Sequence, residues 1–136
     1  MVDVSTKDVT VRSAMAGGRV LLSAECVSAL RDGSVPKGDA LAVARIAGIQ
    51  AAKRTPDLIP LCHPLFLSGV DVTATVVDEG VELRATVRTT SQTGVEMEAL
   101  TAVAVAGLTV YDMAKAIDKG MRIDEVALVS KTKEPV

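Results

Sequence analysis

Asp112 and Lys115 are the residues of this sequence whose types and spacing most directly suggest chemistry. They lie three positions apart in "YDMAKA", so in a helix they occupy neighbouring positions on one face. A surface ion pair is the usual explanation for this spacing. The apolar run before the pair and Ile117 after it favour partial burial instead. Partial burial would shift both pKa values and would let the pair act as acid and base.

The only histidine, His63, follows Cys62 in "DLIPLCHPL", between Pro60 and Pro64. The prolines predict a stiff, extended segment over 61–65, in which adjacent side chains point to opposite faces. Cys62 and His63 therefore do not form a nucleophile–base dyad, and the sequence offers no ligand-like spacing for a zinc site. A surface His63 with one hydrogen bond is the simple interpretation. Anion binding or proton transfer by a fixed imidazole is the functional one.

Two carboxylates, Glu96 and Glu98, fall in "TGVEME" at the predicted start of a helix. The helix dipole favours acidic residues there, which explains the pair without any function. The same geometry also makes a compact polar site of free backbone N–H groups and carboxylates. Such a carboxylate could accept paired N–H donors, for example those of a guanine edge. The segment alone leaves both interpretations open.

Basic residues are spread along the chain, and each alone is most simply a solvated side chain. The main ones are Lys37 on a glycine-bearing loop, Arg45, Lys53 and Arg54 on a helix, Arg88 on a strand, and Lys131 and Lys133 near the end. A polyanionic ligand would require several of them to converge. The sequence contains no phosphate-binding loop of the GxxxxGK[ST] or GxGxxG type.

Composition excludes several classes of protein. Hydrophobic residues form 49% of the 136 residues, which is too many for a disordered chain and enough for one domain with its own core. A net charge of −2, with one Phe and one Tyr, predicts no nucleic-acid partner. The apolar run over 99–111 is too short to span a membrane. The two separated cysteines are typical of reduced thiols and predict a cytoplasmic protein.

Periodicity and capping signals predict the elements that must position these residues. The first half contains a strand over 17–23, a helix over 23–33 with Ser23 and Gly33 as its caps, and a helix over 40–54 capped by Asp39 and stopped by Pro56. The second half contains a hairpin over 67–90 that turns at 78–80, a helix over 95–119 ended by Gly120, and a strand over 121–131. This order predicts an α+β fold, a ferredoxin-like sandwich with an antiparallel sheet and helices packed on one face. The other face of the sheet is either solvated or covered by another subunit.

Three long stretches of the chain form one recognisable pattern, namely "MVDVS", "KGDALAVARIAGIQAAKRTPDLIPLCHPL" and "TGVEMEALTAVAVAGLTVYDMAKA". With the alternation between them, they closely resemble the cyclic pyranopterin monophosphate synthase (MoaC) family of molybdenum cofactor biosynthesis. The resemblance runs from Met1 to about Lys131 and implies one catalytic domain over 1–136. It also implies a homohexamer, a trimer of dimers with active sites at subunit interfaces, that uses no metal or other cofactor.

The resemblance implies a reaction and a set of site residues. The family converts 3′,8-cyclo-7,8-dihydro-GTP, a small nucleotide-derived substrate, into cyclic pyranopterin monophosphate and releases pyrophosphate. Carried over by motif, Asp112 and Lys115 would be the central catalytic pair, the lysine with a lowered pKa, and Lys37 would be a further catalytic lysine. The residues implied in substrate binding are Leu61, Cys62 and His63 in the pocket wall, Glu96, Met97 and Glu98 at the guanine-derived ring, and Lys53 and Lys131 as anion contacts.

Two other classes of function remain compatible with the residues. One is a non-catalytic oligomeric module that binds a nucleotide or another anion, in which Asp112 and Lys115 form only a structural ion pair. The other is a structural assembly protein whose small-residue helices serve subunit packing. The tail "SKTKEPV", which holds Lys131 and Lys133, lacks the glycines that many family members carry there.

Overall fold

The computed structural model describes residues 1–136 and contains four strands and four helices. In chain order they are β1 (Thr10–Leu21), α1 (Ala24–Asp32), α2 (Ala40–Lys53), α3 (Thr55–Leu58), β2 (Leu67–Val77), β3 (Gly80–Ser91), α4 (Glu96–Ala114) and β4 (Arg122–Pro135). The strands form one sheet in the order β2-β3-β1-β4, and every neighbouring pair is antiparallel. Helices cover one face of this sheet, which confirms the predicted ferredoxin-like α+β sandwich.

The core lies between the sheet and its two long helices, and small side chains dominate it. On β3, alternate residues point inward and are fully buried, as the hairpin prediction requires (Val81, Leu83, Ala85 and Val87). The buried face of α4 consists mainly of alanine and valine. Because these side chains are small, the backbones of α2 and α4 approach closely: a methyl group added at Gly48 would lie 3.1 Å from the carbonyl oxygen of Ala102.

The two helices with clear capping signals begin and end close to the predicted residues. Ser23 accepts a hydrogen bond from the N–H of Cys26 at 3.2 Å at the start of α1, and Gly33 ends that helix in the left-handed conformation with φ 75°. Asp39 accepts from the N–H of Ala42 at 3.1 Å at the start of α2. Local side-chain chemistry therefore determines these boundaries.

The end of α4 was predicted wrongly. The helix ends at Ala114 instead of continuing to residue 119, and Gly120 is not its terminator. The N–H groups of Ile117 and Asp118 both donate to the carbonyl oxygen of Ala114, at 2.9 and 3.1 Å, which closes a tight turn. Asp118 is then held by a distant partner, the N–H of Ser23. A contact over 95 positions is not visible in a helical period.

Other boundaries also differ from the predictions. β1 starts at Thr10, seven residues before the predicted strand, because Arg12 and Ser13 conceal its alternation. Pro56 does not simply stop α2, since it lies in the first turn of the short helix α3. The segment predicted to be extended from Leu61 begins with a turn, in which the N–H of Cys62 donates to the carbonyl of Ile59 at 3.1 Å.

Helix α4 is long and apolar enough to cross a membrane, by length and composition alone. However, 56% of its most apolar 18-residue stretch is buried within the fold, as expected for the central helix of a packed core.

At one edge of the sheet, Arg45 on α2 donates from Nε to the carbonyl oxygen of Val72 on β2 at 3.1 Å. This hydrogen bond occupies a backbone acceptor that an edge strand otherwise leaves free.

Candidate active site

Lys37, Asp112 and Lys115 meet at the C-terminal end of α4 and are named here the amine–carboxylate cluster. Asp112 lies in the last turn of the helix, and its two carboxylate oxygens contact different lysines. The Nζ atom of Lys37 lies 2.9 Å from Oδ2, and that of Lys115 lies 2.9 Å from Oδ1. Asp112 thus contacts both other residues expected to be catalytic, although 75 positions separate it from Lys37.

The loop between α1 and α2 carries Lys37 to this position. Val35 is buried and anchors the loop, and the N–H of Gly38 donates to the carbonyl of Val35 at 3.0 Å. Gly38 has a φ of 109°, which favours glycine over residues with a side chain. Asp39 then caps α2. Lys37 therefore projects from a tight turn directly in front of a helix, towards the end of α4.

The cluster is exposed in the single subunit, which corrects the expectation of partial burial. Side-chain exposure is 47% for Lys37, 55% for Asp112 and 56% for Lys115. The hydrogen bond from Lys115, followed by that from Lys37, holds the pKa of Asp112 below its usual value. The hydrogen bond to Asp112 likewise raises the pKa of Lys115. The predicted lowering of the lysine pKa is therefore wrong for the single subunit, because attraction to the carboxylate outweighs desolvation.

A second group of polar residues lies at the opposite, N-terminal end of α4. Its members are Cys62, His63, Glu96, Glu98 and Lys131, named here the α4-start group. Lys131 on β4 contacts Glu96 across 3.3 Å, and both line a cavity of about 340 Å³. No side chain caps the start of α4 at Val95, so this end of the helix lacks the N-cap hydrogen bond that α1 and α2 have.

Arg12 and Lys133 also line this cavity and were not among the predicted site residues. Arg12 pairs with Lys133 and Ala14 pairs with Lys131 in the register of β1 and β4. Alternate residues of a strand share a face, so the three cationic side chains lie on the face that carries the buried Ala14. Only the pairing of two strands distant in sequence reveals this convergence.

Glu98 is the buried carboxylate of the α4-start group, with 4% of its surface exposed. Desolvation raises its pKa, and the charge of Glu96 adds to the effect. Burial also raises the pKa of the Cys62 thiol, and the nearby charge of Glu98 contributes. The charge of Glu98 thus reaches Cys62, although the sequence separates the two residues by 36 positions.

His63 makes one hydrogen bond, from Nε2 to the carbonyl oxygen of Val2 at 2.7 Å. Because a carbonyl can only accept, Nε2 carries the proton in this contact. The remaining predicted residues are more peripheral. Leu61 is 70% exposed and Met97 is 37% exposed. Lys53 lines a separate cavity of about 450 Å³ with mainly apolar neighbours.

The two groups do not meet within one subunit. Sixteen positions separate Glu96 from Asp112, which corresponds to roughly 24 Å along a helix. The contacts of Lys37 with Asp112 and of Gly48 with Ala102 show that α2 and α4 run in opposite directions. The structure contains no group of three His, Cys, Asp or Glu side chains arranged to hold a metal ion.

Comparison with known proteins assigns the chain to a group of relatives along almost its whole length. Residues 1–134 match the profile of the MoaC family. A protein of Streptomyces coelicolor named cyclic pyranopterin monophosphate synthase is 66% identical over 132 residues, which cover 97% of this chain and 78% of that protein. One from Nocardioides sp. with the same name is 62% identical, covering 97% of this chain and 83% of that protein. Cyclic pyranopterin monophosphate synthase 2 of Mycobacterium tuberculosis is 58% identical, covering 96% and 78%.

Proposed function

The chain belongs to the MoaC family, and we propose that it is a cyclic pyranopterin monophosphate synthase of molybdenum cofactor biosynthesis, as its relatives are named. It converts 3′,8-cyclo-7,8-dihydro-GTP into cyclic pyranopterin monophosphate and pyrophosphate, and we class it as a lyase. The observation that carries the catalytic part of this proposal is the contact of one carboxylate, Asp112, with two lysine amines.

The amine–carboxylate cluster suits the chemistry of this reaction. The purine ring must open and a new ring must close, and both processes require protons to be delivered and removed at defined atoms. Lys115 is a cation at rest, and Asp112 stabilises that form by raising its pKa, so it enters the reaction as a proton donor. Asp112 is ionised at rest and can receive a proton. The two amines also stabilise the negative charge that develops when pyrophosphate leaves.

The α4-start group is proposed to bind the substrate. Glu96, Met97 and Glu98 would hold the guanine-derived ring, since carboxylates accept the paired N–H donors of a guanine edge. Lys131 would contact the phosphates, with Arg12 and Lys133 beside it in the same cavity. Leu61, Cys62 and His63 would form the wall, and Lys53 would contribute a more distant positive charge.

We propose that the complete site forms between two subunits of a homohexamer. The catalytic and binding groups lie too far apart along α4 to share one pocket in a single chain, whereas neighbouring copies can bring opposite helix ends together. Apolar side chains exposed on the helical side of the molecule support such contacts. They include Val43 and Ile46 on α2, Leu58, Leu108, and Phe66, which is 85% exposed.

The remaining features of the proposal follow the family. The chain would act as one catalytic domain over residues 1–136, in the cytoplasm, on a small-molecule substrate. The proposed steps are proton transfers and displacement at phosphorus, which amines and carboxylates can promote themselves.

Purified Asp112→Ala and Lys115→Ala variants test the function directly. Each should remain folded and assembled, as judged by sizing, because both side chains are more than half exposed in the subunit. Each should lose roughly 10²- to 10⁴-fold in the rate of product formation from the cyclised nucleotide, the usual range for a general acid or base. Chromatography of the pterin product and a coupled pyrophosphate assay provide two independent measurements.

Asp71→Ala is the matched control, since Asp71 is also an exposed carboxylate in an ion pair, with Arg88 at 3.4 Å on the sheet. It should retain the wild-type rate. A wild-type rate in both Asp112→Ala and Lys115→Ala would remove these residues from catalysis. A wild-type protein that binds the nucleotide without forming product would instead favour the non-catalytic binding module.

A further inference from the structure

Asp118 is a buried carboxylate beside the amine–carboxylate cluster, and no step proposed above uses it. It is 8% exposed, and its two oxygens have separate donors. Oδ2 accepts from the N–H of Ser23 at 2.6 Å, and Oδ1 accepts from the N–H of Gly120 at 2.9 Å. These donors, Ser23 foremost, hold the pKa of Asp118 below its usual value, so the group is ionised at neutral pH.

These hydrogen bonds connect the turn after α4 to the start of α1. The turn begins at Lys115, whose N–H donates to the carbonyl of Tyr111 at 3.0 Å, and it closes where the N–H of Asp118 returns to Ala114. Ser23 is the N-cap of α1. Cys26, Ala114 and Met121 pack together next to this junction as a small apolar cluster of their own. The Asp118 carboxylate thus supplies the hydrogen bond that connects the turn after α4 to the start of α1.

The opposite end of α1 leads directly to the second lysine. After Gly33 the chain enters the loop that holds Lys37, which returns to Asp112 at the end of α4. α1 is therefore tied to the end of α4 twice, by Asp118 at its start and by Lys37 just beyond its end. The Nζ atoms of Lys115 and Lys37 have no protein partner other than Asp112, so nothing but their backbone positions brings both amines to one carboxylate.

We propose that Asp118 is a positioning residue, which anchors the turn that bears Lys115 to α1 and thereby holds Lys115 and Lys37 around Asp112. This inference rests on the proposed catalytic role of that cluster. Asp118 itself is not expected to touch the substrate. Its loss should therefore slow the chemical step and leave substrate binding, at the other end of α4, almost unchanged.

Kinetics of Asp118→Ala and Asp118→Asn test this role. Asp118→Ala should lower kcat by roughly 10- to 100-fold, the effect expected when catalytic groups move by about 1 Å. Its KM should stay within about twofold of the wild type, because the binding groups are untouched. Asp118→Asn retains an oxygen that can accept from Ser23, so it should recover part of kcat. Asp78→Ala is the control, since it removes an ion pair of α1 that lies away from the cluster, between Arg31 and Asp78 at 3.0 Å.

A measurement that needs no turnover separates this inference from the proposed function. Only the neutral amine reacts with an acylating reagent, and contact with Asp112 keeps Lys115 protonated by raising its pKa. Acetylation of Lys115 at pH 8, followed by peptide mass spectrometry and normalised to exposed Lys7, should become faster in Asp118→Ala than in the wild type, by more than the scatter between repeats. Asp78→Ala should leave the rate unchanged.

These results have clear contrary outcomes. A wild-type kcat in Asp118→Ala, or a higher KM at constant kcat, would overturn the positioning role. Failure of both Asp118 variants to assemble would also overturn it, because the carboxylate would then serve folding alone. An unchanged acetylation rate of Lys115 would do the same, even if the protein proved not to be a synthase. A faster rate in a protein without synthase activity would keep the positioning role and reject only the function.

Discussion

Activity should return when two inactive variants are combined in one oligomer, provided that they disable opposite ends of α4. Lys115→Ala removes an amine at the C-terminal end, and His63→Ala removes the imidazole near the N-terminal end. These ends are roughly 24 Å apart in one chain. If a site takes its catalytic group from one subunit and its binding group from another, some sites in mixed oligomers are complete. Their catalytic end comes from the His63→Ala chain and their binding end from the Lys115→Ala chain.

The size of the recovery follows from counting. When the two variants are present in equal amounts and assemble at random, about half of the sites have an intact catalytic end. About half of those sites also have an intact binding end from the neighbouring subunit. About one quarter of the wild-type activity per site should therefore return, although each parent variant has almost none. Co-expression with two different affinity tags, followed by sequential purification, yields the mixed oligomers, and pterin formation is the assay.

Lys115→Ala mixed with Asp112→Ala is the control for this experiment. Both changes disable the same end of α4, so every site in that mixture lacks one catalytic group and no activity should return. If the mixture of Lys115→Ala and His63→Ala also stays inactive although both tags co-purify, the site does not span two subunits. The division of labour between helix ends would then be refuted.

Three further predictions concern stability and assembly. Gly48→Ala forces a methyl group to within 3.1 Å of the Ala102 carbonyl oxygen and should lower stability by about 1–3 kcal/mol in thermal unfolding, whereas Gly120→Ala, with its nearest atom at 3.9 Å, should be nearly neutral. Burial raises the pKa of Glu98, so the protonated side chain contributes fully to stability when the pH is below the pKa of the unfolded chain, near 4.5. That contribution is lost as the pH rises through the pKa of Glu98 in the folded protein. Glu98→Gln should therefore raise Tm by about 3 °C at pH 7 and show no gain at pH 4, and a gain that did not depend on pH would contradict this reasoning. Phe66→Asp places a charge on an 85% exposed apolar residue and should shift the protein to smaller species in sizing; an unchanged size would contradict a role of this surface in assembly.

The parts of the fold that depend on local chemistry were predictable from the sequence. Ser23, Gly33 and Asp39 act as the caps that their types suggest, and the alternation of the hairpin matches the burial of β3. The end of α4 was not predictable, because it depends on the contact of Asp118 with a distant backbone N–H.

The sequence predicted one contact of the candidate site, but not the arrangement of the residues around it. Asp112 and Lys115 form an ion pair as their spacing suggests, but their exposure depends on which elements or subunits cover them. The approach of Lys37 required the loop after α1 to fold back onto α4. Arg12 and Lys133 come together only through the register of two strands, which no short sequence window contains.

The hydrogen bond from Arg45 to the carbonyl of Val72 has a consequence for how copies of this chain can associate. The Arg45 guanidinium occupies a carbonyl oxygen of β2 that another chain would need in order to add a strand at that border of the sheet. The opposite border, β4, ends in two lysines, a glutamate and a proline, residues that discourage continuous stacking. Both borders of the sheet are thus protected against the open-ended addition of strands that builds fibrils.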